Sequence, residues 1–76
     1  MEKKFIEQLK EVLEIEDREI NPDDEFRNYS EWNSMAALSV IAMMDDEFGV
    51  VLDTASFIKL RTVGDLIEEV KEKMSQ

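Results

Sequence analysis

The amino-acid sequence predicts an all-α fold, a four-helix bundle of three long helices and one short one with a long loop between the first and second. Three observations carry this. Apolar residues recur at helical spacing in three separate segments, no two segments alternate in a way that would let strands pair, and 76 residues suffice for one small core. The whole chain, 1–76, therefore reads as a single domain.

The first helix is set by Phe5, Ile6, Leu9, Val12 and Leu13, which share one face while Glu2, Lys3, Glu7, Lys10, Glu11 and Glu14 occupy the other. From Ile15 to Asn33 this periodicity stops. Within that stretch Asn21-Pro22-Asp23-Asp24-Glu25 has the order of an N-cap, a proline at the first helical position and acids in a first turn, which predicts one helical turn there. Phe26, Tyr29 and Trp32 are expected to pin the loop to the body.

The second helix is expected to run from Ser34 to Phe48, with Asn33 as its cap and Gly49 as its stop. Ala37, Val40, Ile41, Met44 and Phe48 form its apolar stripe, yet Met35, Leu38, Ala42 and Met43 lie off that stripe. Val50-Val51-Leu52 has no strand to pair with and reads as packed loop. Asp53 or Thr54 then caps a short helix reaching Lys59 or Leu60, whose Phe57, Ile58 and Leu60 close over the second helix. Thr62 and Asp65 form a capping box with Asp in place of Glu, and Val63, Leu66, Ile67, Val70 and Met74 stripe the last helix.

Composition excludes several functions. Nineteen acids against nine bases give a formal net charge of -10, which repels nucleic acid and anionic membranes and attracts basic protein surfaces. The longest apolar run, Val40 to Met44, falls far short of the roughly 20 residues of a membrane span. The N-terminal residues do not resemble a signal peptide, and a cytoplasmic, monomeric protein is expected. There is no Cys and no His, so the chain has no thiol of its own and Ser34 has no imidazole to activate it. Asp45, Asp46 and Glu47 are consecutive, lack the alternation of a calcium loop and splay around a helix, so no metal site is expected. Taken alone, Ser34 is also an ordinary first-turn serine.

The segment Asn33-Ser34-Met35 heads the second helix, Asp45-Asp46-Glu47-Phe48-Gly49 ends it, and Thr62-Val63-Gly64-Asp65-Leu66 opens the last helix. In this order and at this spacing the chain resembles the acyl carrier protein family along nearly its whole length. The family's Asp-Ser-Leu triplet is here Asn33-Ser34-Met35. Asn33 keeps a capping oxygen but drops the charge, and Met35 keeps volume. The resemblance implies that Ser34 carries a covalent 4'-phosphopantetheine, with Asn33 and Met35 flanking it, and that an acyl or aminoacyl group rides the arm as a thioester. It implies a carrier that is not an enzyme, loaded by a phosphopantetheinyl transferase and served by acyl-loading and acyl-processing enzymes with basic or apolar docking patches. Leu38, Ala42, Asp45, Asp46 and Ile58 are the expected docking residues, Ser34, Leu38, Ala42 and Asp46 sharing a face when counted in steps of four. The acids that housekeeping carriers place beside the serine are replaced by Ala36, Ala37, Leu38 and Ser39, which points to a dedicated pathway. Val40, Met44, Leu52 and Phe57 are the expected lining of an acyl pocket, kept shallow by Phe57. The alternative reading is an acidic adaptor with the carrier fold that is never loaded.

Overall fold

The computed structural model describes residues 2–74. Its order is α1 (Glu2–Leu13), a 3-10 turn (Phe26–Asn28), α2 (Ser34–Phe48), α3 (Thr54–Ile58) and α4 (Val63–Met74). Among the described residues there is no strand, only an isolated antiparallel bridge between Glu25 and Thr62.

Amphipathic α1 buries Phe5, Leu9 and Leu13. It ends without glycine. Glu14 takes a left-handed conformation, φ 57, its N–H donates to the Glu11 carbonyl at 3.2 Å, and the Ile15 N–H reaches back to Lys10 at 2.9 Å. Those paired bonds satisfy carbonyls that a helix end leaves free, and the buried Ile15 draws the chain back into the core.

The expected helical turn at Asn21 does not form. Asn21 to Asp24 close a turn instead, the Asp24 N–H donating to Asn21 at 3.0 Å, and the 3-10 turn comes later, at Phe26–Asn28. The reason lies at the other end of the chain. The N–H groups of Val63 and Gly64, unpartnered within α4, donate to the carbonyls of Asp24 at 2.9 Å and Pro22 at 2.8 Å. Asp24 accepts from the Asn21 N–H at 3.0 Å and from the Tyr29 hydroxyl at 2.7 Å, which together hold its carboxyl below the usual range. A side chain on Gly64 would meet the Pro22 carbonyl at 3.1 Å, so this close approach favours glycine.

The aromatic anchors do hold the loop down: Phe26 is fully buried, and Tyr29 and Trp32 pack half-buried against the core. Arg18 adds an ion pair to Glu31 at 2.5 Å across the loop.

Helix α2 begins at Ser34, its cap Asn33 accepting the Ala36 N–H on Oδ1 at 2.8 Å, and stops at Gly49 with φ 66. Its buried stripe is rotated from the expected one. Ala36, Val40, Met43 and Met44 are buried, whereas Ala37, Ile41 and Phe48 are half-buried and Met35, Leu38 and Ala42 exposed. Helix α2 packs mainly against α1, which covers Ala36 and Met43; α3 is only five residues long and leaves Ala37 and Ile41 partly open.

Helix α3 is capped by Asp53, which accepts the Ser56 N–H at 2.7 Å, and it stops at Ile58, earlier than expected. Of the three residues expected to close over α2, Phe57 is buried, Leu60 half-buried and Ile58 66% exposed. At α4 the reciprocal box forms: the Asp65 N–H donates to Thr62 Oγ1 at 3.1 Å, and the Asp65 carboxylate accepts from the N–H groups of Thr62 at 3.1 Å and Arg61 at 2.9 Å. Val63, Leu66, Ile67 and Val70 are buried, while Met74, at the open end of the bundle, is exposed.

Two cap predictions follow from this geometry. Asn33→Ala removes the acceptor for the Ala36 N–H and lowers stability by about 1 kcal/mol, a fall in Tm of roughly 4–8 °C for a domain of this size, whereas Asn33→Asp melts at or above the parent. The N–H groups of Arg61 and Thr62 hold the Asp65 carboxyl below its usual range. A depressed folded value means stabilisation that is present above the unfolded value near ~3.9 and is lost as pH falls through the folded one. Melting curves of Asp65→Asn therefore differ most from the parent at neutral pH and converge with it below about pH 4.

Candidate functional site

Ser34 is the first residue of α2 and is exposed. Its position follows from local chemistry. Asn33 is extended, φ -159, and accepts the Ala36 N–H, so the chain enters the helix with Ser34 at N1. At any helix start the first N–H groups lack intrahelical acceptors, and with the Ala36 N–H taken by Asn33 the neighbouring N–H groups of Ser34 and Met35 point toward the terminus. The first turn of α2 contains no acid, so the positive end of the helix dipole is not neutralised from within. A hydroxyl presented there suits an anionic ester.

Beside the hydroxyl runs an apolar groove of about 310 Å³. Ala37, Leu38 and Ile41 form its α2 side, and Thr54, Phe57 and Ile58 form its α3 side. Arg27 and Trp32 of the long loop complete it. The Trp32 and Phe57 rings are stacked, with centroids 6.1 Å apart and planes at 15°, and Phe26 meets Trp32 edge-on at 4.9 Å. Arg27 donates to the carbonyls of Leu60 and, at 3.0 Å, Phe57, while its guanidinium lies over the rings of Phe26 at 4.8 Å and Phe57 at 5.3 Å.

Expected site residues separate into three places. Leu38 and Ile58 sit on the rim of the groove, 62% and 66% exposed, and Met35 is exposed beside Ser34. Ala42 and Asp46 instead line a larger furrow, about 420 Å³, between α1 and α2, together with Gln8, Glu11 and Glu47; it does not include Ser34. Asp45 is exposed near the end of α2. Each step of four residues over-rotates a helix by about 40°, so a row starting at Ser34 drifts out of the groove by Ala42. Of the four residues expected to line an acyl pocket, Phe57 lines the groove; Val40, Met44 and Leu52 lie in the core behind it.

Arg27 is not singled out in the sequence, and Trp32 is expected there only as a loop anchor. A lone arginine in an acidic loop has no periodicity to betray it, and its carbonyl partners are more than thirty residues away. Among the described residues no group of three His, Cys, Asp or Glu side chains is placed to hold a metal ion, and no helix is long and apolar enough to cross a membrane.

An exposed serine at an acid-free helix start, with an apolar groove leading away from it, fits a phosphopantetheine arm. Comparison with known proteins identifies the family. Residues 3–70 match the family model described as a phosphopantetheine attachment site. The meromycolate extension acyl carrier protein of Mycobacterium leprae is 29% identical over 64 residues, which is 84% of this chain and 56% of that protein. Its counterpart in Mycolicibacterium smegmatis is 27% identical over the same length, 65% of that protein, so the chain spans a little over half to two thirds of these relatives. A solved structure of a candidate acyl carrier protein from Mycobacterium tuberculosis superposes with a TM-score of 0.83 at 21% identity, over 95% of this chain and 96% of that one, and shares the fold. The chain thus belongs to the phosphopantetheine attachment site family, whose cofactor is covalent 4'-phosphopantetheine.

Proposed function

We propose that Ser34 is the attachment point and that the chain carries an acyl or aminoacyl group as a thioester between enzymes of a dedicated pathway. The observation that carries this is the pairing of an exposed Ser34 hydroxyl with the groove that starts beside it. When bound, the arm supplies the thiol that a chain without cysteine lacks. The chain's own residues do the rest. Asn33 fixes the helix start, the N–H groups of the first turn and the helix dipole favour the phosphodiester, and Ala37, Leu38 and Ile41 offer the arm an apolar bed. The chain has no histidine to act as a general base for Ser34, which supports a carrier that leaves chemistry to its partners.

Tethering then sets the mechanism. A covalent arm turns each encounter of thioester and docked enzyme into an intramolecular one with a high effective concentration. The partners are a phosphopantetheinyl transferase and the enzymes that load and process the cargo. Leu38 and Ile58, exposed on either side of the groove mouth, give those enzymes an apolar contact, and Asp45, Asp46 and the neighbouring Ala42 extend the surface along α2. The names of the relatives support carriage of acyl groups in a lipid pathway. Cytoplasmic residence fits such partners.

Co-expression with a broad-specificity phosphopantetheinyl transferase is expected to add one phosphopantetheine to the parent and none to Ser34→Ala, read by intact mass. If several transferases leave both proteins unmodified, the unloaded adaptor becomes the better reading. Leu38→Glu is expected to change stability by no more than about 0.5 kcal/mol, as for an exposed position, while lowering turnover by partner enzymes; loss of the fold instead would remove Leu38 from the docking surface.

A further inference from the structure

We propose that Arg27 is a latch that closes the inner end of the Ser34 groove, so that the fold shelters only a short cargo and keeps its core shut to a long one. The inference rests on the reading of Ser34 as the attachment point and adds what limits the space beside it.

Of the residues that line the groove only Phe57 is buried, 3% exposed. Val40, Met44 and Leu52 do not line the groove and belong to the same continuous core as Phe57. On this proposal a chain entering at Ser34 meets the core at Phe57 and goes further only if that ring moves. Trp32 lies flat against Phe57, and Phe26 tilts onto it with centroids 5.8 Å apart. Arg27 reaches it from the loop, its guanidinium over the ring and its N–H groups bonded to the carbonyls of Phe57 and Leu60. The Phe57 carbonyl lies in the last turn of α3 and also accepts the Leu60 N–H at 3.0 Å, and the Leu60 carbonyl lies just beyond the helix. One side chain therefore ties down both the ring and the backbone that carries it. Helix α3 is a single turn and a half with one buried side chain, so its position depends heavily on what packs on Phe57. Lysine cannot replace this: a compact ammonium lacks the planar fork that spans two carbonyls and stacks on a ring.

The space in front of the wall is small. About 310 Å³ is at the lower end of the roughly 300–1,000 Å³ of small-molecule sites. From Ser34 to Ile41 it extends only about 10 Å along α2. Cargo beyond a few carbons stays outside, for a partner enzyme to cover.

The absence of cysteine permits a direct test that needs no transferase. Ser34→Cys is labelled with butyl, octyl and hexadecyl methanethiosulfonates, each forming a mixed disulfide and releasing methanesulfinate. Tm and the methyl NMR signals of the core are then recorded. Octyl is expected to raise Tm over butyl, hexadecyl to add nothing further, and the shifted methyls to be those of Ala37, Leu38 and Ile41. With Phe57→Ala or Arg27→Gln added, hexadecyl raises Tm beyond octyl and the shifts reach Val40 and Met44; Arg27→Lys behaves like Arg27→Gln. Stabilisation by hexadecyl with shifts at Val40 and Met44 in the Ser34→Cys protein alone overturns the closed core. If Phe57→Ala opens the core and Arg27→Gln or Arg27→Lys does not, the latch is refuted. Should Arg27→Gln not fold, Arg27→Lys decides the point. Because the alkyl probe bypasses phosphopantetheine, a chain that is never loaded at Ser34 fails the mass experiment and leaves this one unaffected.

Discussion

Phe26 is fully buried in the middle of the long loop between α1 and α2, and the placement of everything around the serine depends on it. Its ring meets Trp32 and Phe57, so it joins the loop to α3 in one aromatic cluster. Truncating a buried Phe in a protein core typically costs about 3–5 kcal/mol, a large share of the roughly 4–11 kcal/mol that a domain of this length holds in all. On either side of the ring the backbone is fixed by polar contacts. Upstream, Pro22 and Asp24 accept the free N–H groups of α4; downstream, Arg27 accepts its place against the end of α3 by donating to two carbonyls. A loop that would otherwise be mobile becomes a wall, and Asn33 starts α2 at a defined place beside it.

The same arrangement decides how charge is distributed. All the buried side chains are apolar among the described residues, so the net charge of -10 lies on the outside. Near Ser34 it is thin. The first turn of α2 has no acid, and the carboxylate of nearby Glu31 is drawn into an ion pair with Arg18, whose hydrogen bond holds it below the usual range. Glu11, Asp46 and Glu47 gather instead in the furrow on the α1 side. A phosphodiester at Ser34, as proposed, would therefore meet N–H groups and apolar surface, with most of the protein's repulsive charge at a distance.

Legibility in the sequence follows the range of the forces involved. The limits of α2 were readable because Asn33 and Gly49 act on groups a few residues away, and the Thr62–Asp65 box for the same reason. The turn at Asn21-Pro22-Asp23 was misread because its local signals favour a helix start, while the carbonyls it would need are taken by Val63 and Gly64, some forty residues on. The rotated stripe of α2 was misread for a related reason. Periodicity shows that a helix has apolar faces, but which of them is covered depends on what packs there, and α1 covers more than the short α3 does. Val40, Met44 and Leu52, expected on the strength of a resemblance to line a pocket, are buried in the core and do not line the groove, whose one buried lining residue is Phe57.

By itself the sequence determined the helical class, the limits of α2, the capping box of α4, the family resemblance and Ser34 as the residue of interest, because spacing, caps and composition act within a few residues or along one helix. Only the tertiary structure decided that Phe57 is the one buried residue lining the groove beside Ser34, and that Arg27 lies over its ring and donates to its carbonyl. That contact joins a loop to a helix thirty residues later, and its strength comes from two backbone carbonyls and two aromatic rings that only folding brings within reach of one guanidinium.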